Sequence, residues 1–133
     1  MKYEVLSHTA DLKIKAYGKD EKELFSNALL GMSENMKPEL KEEKSEREIE
    51  VASLDKAALL VDFLNEVLYL SQTNKEAFFK VDFSEFSETS LKGRISGKKA
   101  KKFGEDIKAA TYHNLNIRQK QNKLWEATIL FDI

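Results

Sequence analysis

The sequence contains no cysteine, and this absence removes several kinds of site at once. Without thiols the chain forms no disulfide, has no thiolate nucleophile and offers no thiolate ligand to a soft metal. Only two histidines are present, which disfavours a zinc centre built from several imidazoles. Any bound metal is therefore expected among oxygen ligands, which favours calcium, magnesium or manganese. The lack of cysteine also suits a reducing cytoplasm, where we expect the protein to work.

Long apolar runs are absent as well. No segment approaches the roughly 18 consecutive apolar residues that span a membrane, and the first eight residues contain no apolar signal core. The 22 basic and 23 acidic side chains leave a net charge of −1, so direct electrostatic binding of nucleic acid is not expected. With 41% hydrophobic residues in a length of 133, the sequence predicts one domain over residues 1–133.

Two helices are predicted from capping signals and apolar spacing. Asp20 is a good N-cap, and Glu23 three residues later completes a capping-box pattern. Apolar residues then recur at helical spacing until Pro38, the only proline, ends the segment. Asp55 is the expected cap of a second helix, over residues 56 to about 71. Its wide apolar face predicts deeper burial than that of the first helix.

Alternation of apolar and polar residues predicts that most other elements are strands. These are residues 3–7, 11–17, 48–51, 79–83, 91–95 and 125–133, with a weaker pattern over 109–117. Two densely charged stretches, 39–48 and 97–104, are interpreted as solvated loops. The second holds four lysines, which suit an RNA backbone, an acidic partner or plain solvation. The pattern predicts an α+β fold with two helices and mostly antiparallel strands.

The last predicted strand stays apolar along one face to the final residue, Ile133, whereas chain ends are usually polar and frayed. A strand held in a sheet to its end gives the adjacent Asp132 and the terminal carboxylate a defined position.

Four pieces of the sequence, in this order, resemble the archease family. They are His8-Thr-Ala-Asp11, Leu59-Leu-Val-Asp-Phe-Leu-Asn-Glu-Val-Leu-Tyr-Leu70, Ile107-Lys-Ala-Ala-Thr-Tyr-His113 and Trp125-Glu-Ala-Thr-Ile-Leu-Phe-Asp-Ile133. Their order, their spacing and the shared Asp-Ile ending make the resemblance specific. It extends over nearly the whole chain.

The resemblance implies a function that composition and periodicity do not reveal. Archeases assist the RtcB-type RNA ligase, which joins RNA ends bearing a 3′-phosphate or 2′,3′-cyclic phosphate to a 5′-hydroxyl, as in tRNA splicing. Such a protein is expected to promote guanylylation of the ligase and its multiple turnover. It is a non-catalytic cofactor of the ligase, and it meets RNA only through that partner.

The same resemblance implies a metal site. Asp11 and Asp132 correspond to the family's acidic pair, and Ile133 is expected to contribute a backbone or terminal oxygen. The expected ion is a divalent cation, with calcium first and magnesium or manganese as alternatives. Ser7 stands where family members often carry an acidic residue, which removes one oxygen charge from the site.

Two further residues lie at motif positions of the family. Lys108 is expected to contact a phosphate of a nucleotide or RNA, or a carboxylate of the ligase, and His8 to orient Asp11. A solvated strand lysine and a turn histidine are the structural alternatives for these two residues.

Two other functions compete with this interpretation. A metal-dependent enzyme would use Asp11, Asp132, Lys108 and His8 as metal and acid–base groups. Against it, the sequence has no nucleophile motif, no phosphate-binding glycine loop and no metalloprotease spacing. The other alternative, a chaperone-like modulator of nucleic-acid-processing proteins, rests on fold analogy alone.

Overall fold

The computed structural model describes residues 1–8 and 11–133, without the side chain of His8. In chain order the elements are β1 (Tyr3–His8), β2 (Asp11–Gly18), α1 (Glu21–Asn35), β3 (Pro38–Ala52), α2 (Lys56–Asn74), β4 (Glu76–Phe86), β5 (Ser90–Phe103), β6 (Ala109–Thr111), β7 (Ile117–Gln119) and β8 (Trp125–Asp132).

The strands form two sheets. Sheet A has the order β1-β2-β8-β6, with β7 also paired to β8, and sheet B has the order β3-β5-β4. Every pairing among the described strands is antiparallel. The predicted α+β class is thus confirmed. In sheet A the second strand of the chain, β2, lies directly beside the last strand, β8.

Both helices begin at the predicted caps. The Asp20 carboxylate accepts a hydrogen bond from the Glu23 amide at 2.8 Å, and the Asp55 carboxylate accepts one from the Ala58 amide at 2.8 Å. Glu23 completes the capping box differently from the usual motif, because its carboxylate accepts from the amide of Lys19 at 3.0 Å. These bonds satisfy amide donors that have no partner within the first helical turn.

The core lies where the helices meet the sheets. Helix α1 packs against β2 and β4, and α2 packs against β3, β4 and β6, so each helix contacts both sheets. Phenylalanines from three elements meet there, with ring centroids 5.0 to 5.9 Å apart: Phe25, Phe63, Phe83 and Phe86. The inner face of β8 joins this core through buried Ala127, Ile129 and Phe131, as its alternation predicts.

The two predicted charged loops are wrong. Residues 39–48 belong to β3, and residues 97–103 belong to β5. These parts of the strands pair with each other, as in Glu39 opposite Lys102, and both strands are largely exposed there. Most residues of these two stretches are exposed, and the buried ones, Ser45 and Ala100, are small, so the sequence there does not alternate large apolar with polar residues.

Two other boundaries differ from the prediction. Helix α2 continues to Asn74, and Lys75 ends it in the left-handed region with a φ of 54°. The weak strand expected over 109–117 is divided into β6 and β7 by a turn in which Asn114 also has a positive φ, of 52°. In the part of the chain that the structure describes, no helix is both long enough and apolar enough to cross a membrane.

Candidate functional site

Asp11 and Asp132 lie directly opposite each other. Asp11 is the first residue of β2, Asp132 is the last of β8, and the antiparallel register pairs them. Their neighbours Leu12 and Phe131 are fully buried, so both aspartates project from the opposite, solvent-facing side of sheet A. Side chains opposed in this way have Cβ atoms about 5 Å apart. Two carboxylates from distant parts of the sequence are thereby brought together.

Lys108 lies at the same end of sheet A. Its backbone amide donates a hydrogen bond to the carbonyl oxygen of Asp132 at 2.8 Å, and the next residue, Ala109, is the register partner of Asp132. The Lys108 side chain is exposed. Ile133 is half-buried and packs against the core, so the end of the described chain is held at this place.

A polar depression of about 250 Å³ adjoins Asp11 on the outer face of sheet A. Its lining includes Ser7, Asp11, Lys13, His113, Asn114 and Thr128. A carboxylate, an ammonium group, an imidazole, an amide and two hydroxyls thus face one shallow space. The departure of Ser7 from the family pattern therefore falls beside Asp11 itself.

The remaining predicted site residue, His8, ends β1, and its backbone is opposite Leu12. Its side chain lies outside the described residues, as do Thr9 and Ala10 of the same motif. The expectation that His8 orients Asp11 stays a prediction.

The donor set suits a hard cation coordinated largely by water. Asp11 and Asp132 supply two carboxylates on one face, and Ile133 follows directly with backbone oxygen. Among the described residues, no group of three or more histidine, aspartate or glutamate side chains converges. Calcium takes about six to eight oxygen ligands, and waters can complete such a shell. The chemistry fits calcium or magnesium better than a metal that needs nitrogen or sulfur.

Several residues that line the depression were not predicted to belong to the site: Lys13, Asn114, Thr128 and Leu130. Lys13 shares the outer face of β2 with Asp11, which the period of two along a strand would have indicated. Thr128 and Asn114 come from β8 and from the turn after β6. Their proximity to Asp11 depends on the strand order of sheet A, which cannot be read from the pattern of residues along the sequence.

Most lysines in the lysine-rich stretch of β5 form ion pairs. Lys99 lies 3.1 Å from the buried carboxylate of Glu76, and Lys101 and Lys102 lie 3.9 and 3.8 Å from Glu39. Burial alone would raise the pKa of Glu76, but hydrogen bonds from Arg47, Ser45 and Lys99 outweigh it and lower the pKa to about 2. This arrangement favours the structural interpretation of these lysines over a nucleic-acid contact.

Sheet A holds a buried carboxylate of its own. Glu126 on β8 accepts hydrogen bonds from Nε of Arg118 at 2.7 Å and faces Lys15 at 3.4 Å. Burial acts to raise the pKa of Glu126, but the Arg118 hydrogen bond and the Lys15 charge lower it. The pair ties β7 to β8 and so holds one end of the 112–116 turn, which contributes His113 and Asn114 to the depression.

Comparison with known proteins assigns the chain to a family. Residues 3–133 match the archease protein family (MTH1598/TM1083). Protein archease of Methanosarcina mazei is 38% identical, with 99% of this chain and 96% of that protein covered. Protein archease of Pyrococcus furiosus is 33% identical, with 98% of each covered.

Solved structures agree with this match. The solution structure of Methanobacterium thermoautotrophicum protein 1598 shares 31% identity and a TM-score of 0.73, with 99% of each chain covered. A crystal structure from Thermotoga maritima, described as an archease and possible chaperone, has the same fold, with a TM-score of 0.71 at 23% identity over 98% of this chain and 96% of that one. A match over residues 3–133, with relatives more than 30% identical along their whole length, shows that this chain belongs to the archease family.

Proposed function

We propose that this protein is a non-catalytic activator of the RtcB-type RNA ligase, promoting guanylylation of the ligase and its multiple turnover in tRNA splicing and RNA repair. The observation that supports this most is the convergence of Asp11, Asp132 and Lys108. Three motifs that lie apart in the sequence meet at one end of sheet A through a strand register and one hydrogen bond. Exposed charged groups held on a rigid sheet suit contact with a partner.

The charges of the aspartates and of Lys108 suit different roles in the proposed site. Asp11 and Asp132 would hold a divalent cation, which would neutralise the two opposed carboxylates. Lys108 lies at the same end of sheet A, and its ammonium group suits a phosphate or a carboxylate of the guanylylation centre.

A ligation time course with limiting cognate ligase tests the proposal. In the presence of this protein each ligase molecule should complete many ligations, whereas the ligase alone should stop near a single turnover. Asp11→Ala, Asp132→Ala and Lys108→Ala should each remove the stimulation. Equal product with and without the wild-type protein would refute the proposal.

Matched controls come from sheet B. Asp82 and Lys80 are exposed on β4, and their side chains are 3.8 Å apart. Asp82→Ala and Lys80→Ala remove the same charges from the other sheet and should leave the stimulation unchanged. The enzyme alternative is checked by incubating the protein with nucleotide and RNA in the absence of ligase. No turnover is expected there, and a turnover that Asp11→Ala abolishes would favour the enzyme.

A further inference from the structure

A side-chain amide in α2 pairs with the backbone of β6 as a neighbouring strand would. The Nδ2 group of Asn65 donates to the Ala110 carbonyl at 3.0 Å, and the Ala110 amide donates to Oδ1 of Asn65 at 2.8 Å. Because β6 ends the path of sheet A, its outer edge has no strand partner among the described strands. Asn65 therefore satisfies both polar groups of a residue that would otherwise need water or another strand.

A second amide anchors the same segment two helical turns later. The Nε2 group of Gln72 donates to the Ile107 carbonyl at 2.7 Å. Gln72 follows Asn65 by seven positions along the helix, a rise of roughly 10.5 Å. Ala110 follows Ile107 by three positions, which span at most roughly 10 Å. The two spacings match, so the helix holds segment 107–110 at two points without straining it.

Segment 107–110 is also held on its other side. The Lys108 amide, which lies between the two anchored carbonyls, donates to the Asp132 carbonyl at 2.8 Å. Beyond the segment, the Tyr112 hydroxyl donates to the Asp62 carboxylate of α2 at 2.6 Å. Lys108 is thus part of a short stretch fastened to α2 on one side and to the candidate site on the other.

We propose that Asn65 and Gln72 are positioning residues that clamp segment 107–110 between α2 and β8, so that the Lys108 ammonium and the Asp132 carboxylate are presented to the ligase together. This inference rests on the proposed function. The inference gives α2 a role beyond core packing, because its polar side chains Asn65 and Gln72 fix the position of the segment that contains β6, a strand of only three residues.

Substitutions that keep the size of the side chain test the clamp. Asn65→Asp keeps an acceptor for the Ala110 amide but sets a carboxylate oxygen against the Ala110 carbonyl, and Gln72→Met keeps the length without the donor. Asn74→Ala is the matched control on the same helix, since Asn74 bonds only the Leu70 carbonyl of its own helix, at 3.0 Å.

Amide hydrogen exchange and ligase stimulation are then measured on the same samples. Exchange at the Lys108 amide should become about tenfold faster in both clamp variants and stay unchanged in Asn74→Ala. At saturating protein the maximal ligase turnover should fall several-fold, while the concentration for half-maximal stimulation changes little. A variant that merely lost folded protein would show the reverse, with a higher half-maximal concentration and a normal maximum.

Two outcomes overturn the inference. One is unchanged exchange at Lys108 in both clamp variants. The other is full maximal stimulation by the clamp variants under conditions where Lys108→Ala is inactive. Wild-type protein that fails to stimulate the ligase refutes the proposed function instead, and the exchange data then still decide whether the two amides hold the segment.

Discussion

Replacing Asp132 with Asn should make the isolated protein more stable while it removes activity. The register sets the Asp132 carboxylate opposite that of Asp11, and like charges directly opposite in an antiparallel pair cost about 0.2–1 kcal/mol. Lys13, on the same face of β2, screens part of this repulsion, so the lower half of that range is expected. For a chain of this length, the gain corresponds to roughly 1–2 °C in Tm.

Calcium should reverse the order of stability. A cation shared by Asp11 and Asp132 stabilises the folded state by RT ln(1 + [Ca²⁺]/Kd), which is about 1.4 kcal/mol at ten times Kd. That gain equals roughly 6 °C in the wild-type protein and should be absent in Asp132→Asn. Without calcium the variant therefore melts above the wild type, and with calcium it melts below it.

Differential scanning calorimetry in chelator and at increasing calcium measures both effects. Asp82→Asn is the control, because Asp82 lies opposite Arg94 in sheet B and its removal loses an attraction. Its Tm should fall slightly and should rise with calcium as in the wild type. A Tm of Asp132→Asn below that of the wild type in chelator would contradict the repulsion between the two carboxylates, and a Tm that still rises with calcium would contradict the cation site.

Three further results are expected. As the pH falls from about 5 towards the Glu76 pKa of about 2, the protein should lose about 3 kcal/mol of stability, because a carboxyl group with a lowered pKa stabilises the fold only while it is ionised. In urea unfolding, the stability of Glu76→Gln should fall less steeply over this pH range than that of the wild type. Asp55→Ala should cost about 1 kcal/mol by loss of the cap on Ala58, with Asp55→Asn close to the wild type in thermal melts. Gly97→Ala should cost at least about 2 kcal/mol in urea unfolding, since its Cβ would lie 1.8 Å from the Ala77 carbonyl oxygen; a variant as stable as the wild type would contradict the strand register there.

Local signals in the sequence predict the elements whose residues interact with near neighbours. Asp20 and Asp55 cap the helices as expected, because capping depends on amides two or three residues away. The alternation of β8 also predicts its buried face, because one side of the strand packs against the core. The order of strands in sheet A could not be obtained this way, since it depends on contacts between distant segments.

The charged stretches of β3 (39–48) and β5 (97–103) show where local sequence signals fail to predict a strand. Residues 39–44 are exposed on both faces, apart from the paired backbone, so composition there resembles a loop. What holds the strands is their backbone pairing, with cross-strand charges such as Glu39 and Lys102 in support. Asn65 and Gln72 were missed for a related reason. A polar residue in a helix appears solvent-facing until the segment it anchors is known.

The place of β8 in sheet A has a consequence for biosynthesis. Sheet B needs only residues up to Phe103, but β2 can pair with β8 along its full length only after Asp132 has left the ribosome. At about 5–20 residues per second, roughly 6–24 seconds separate the synthesis of Asp11 from that of Asp132. A truncated product would lack one carboxylate and the strand that carries it. Only chains translated through Asp132 can therefore assemble the candidate site.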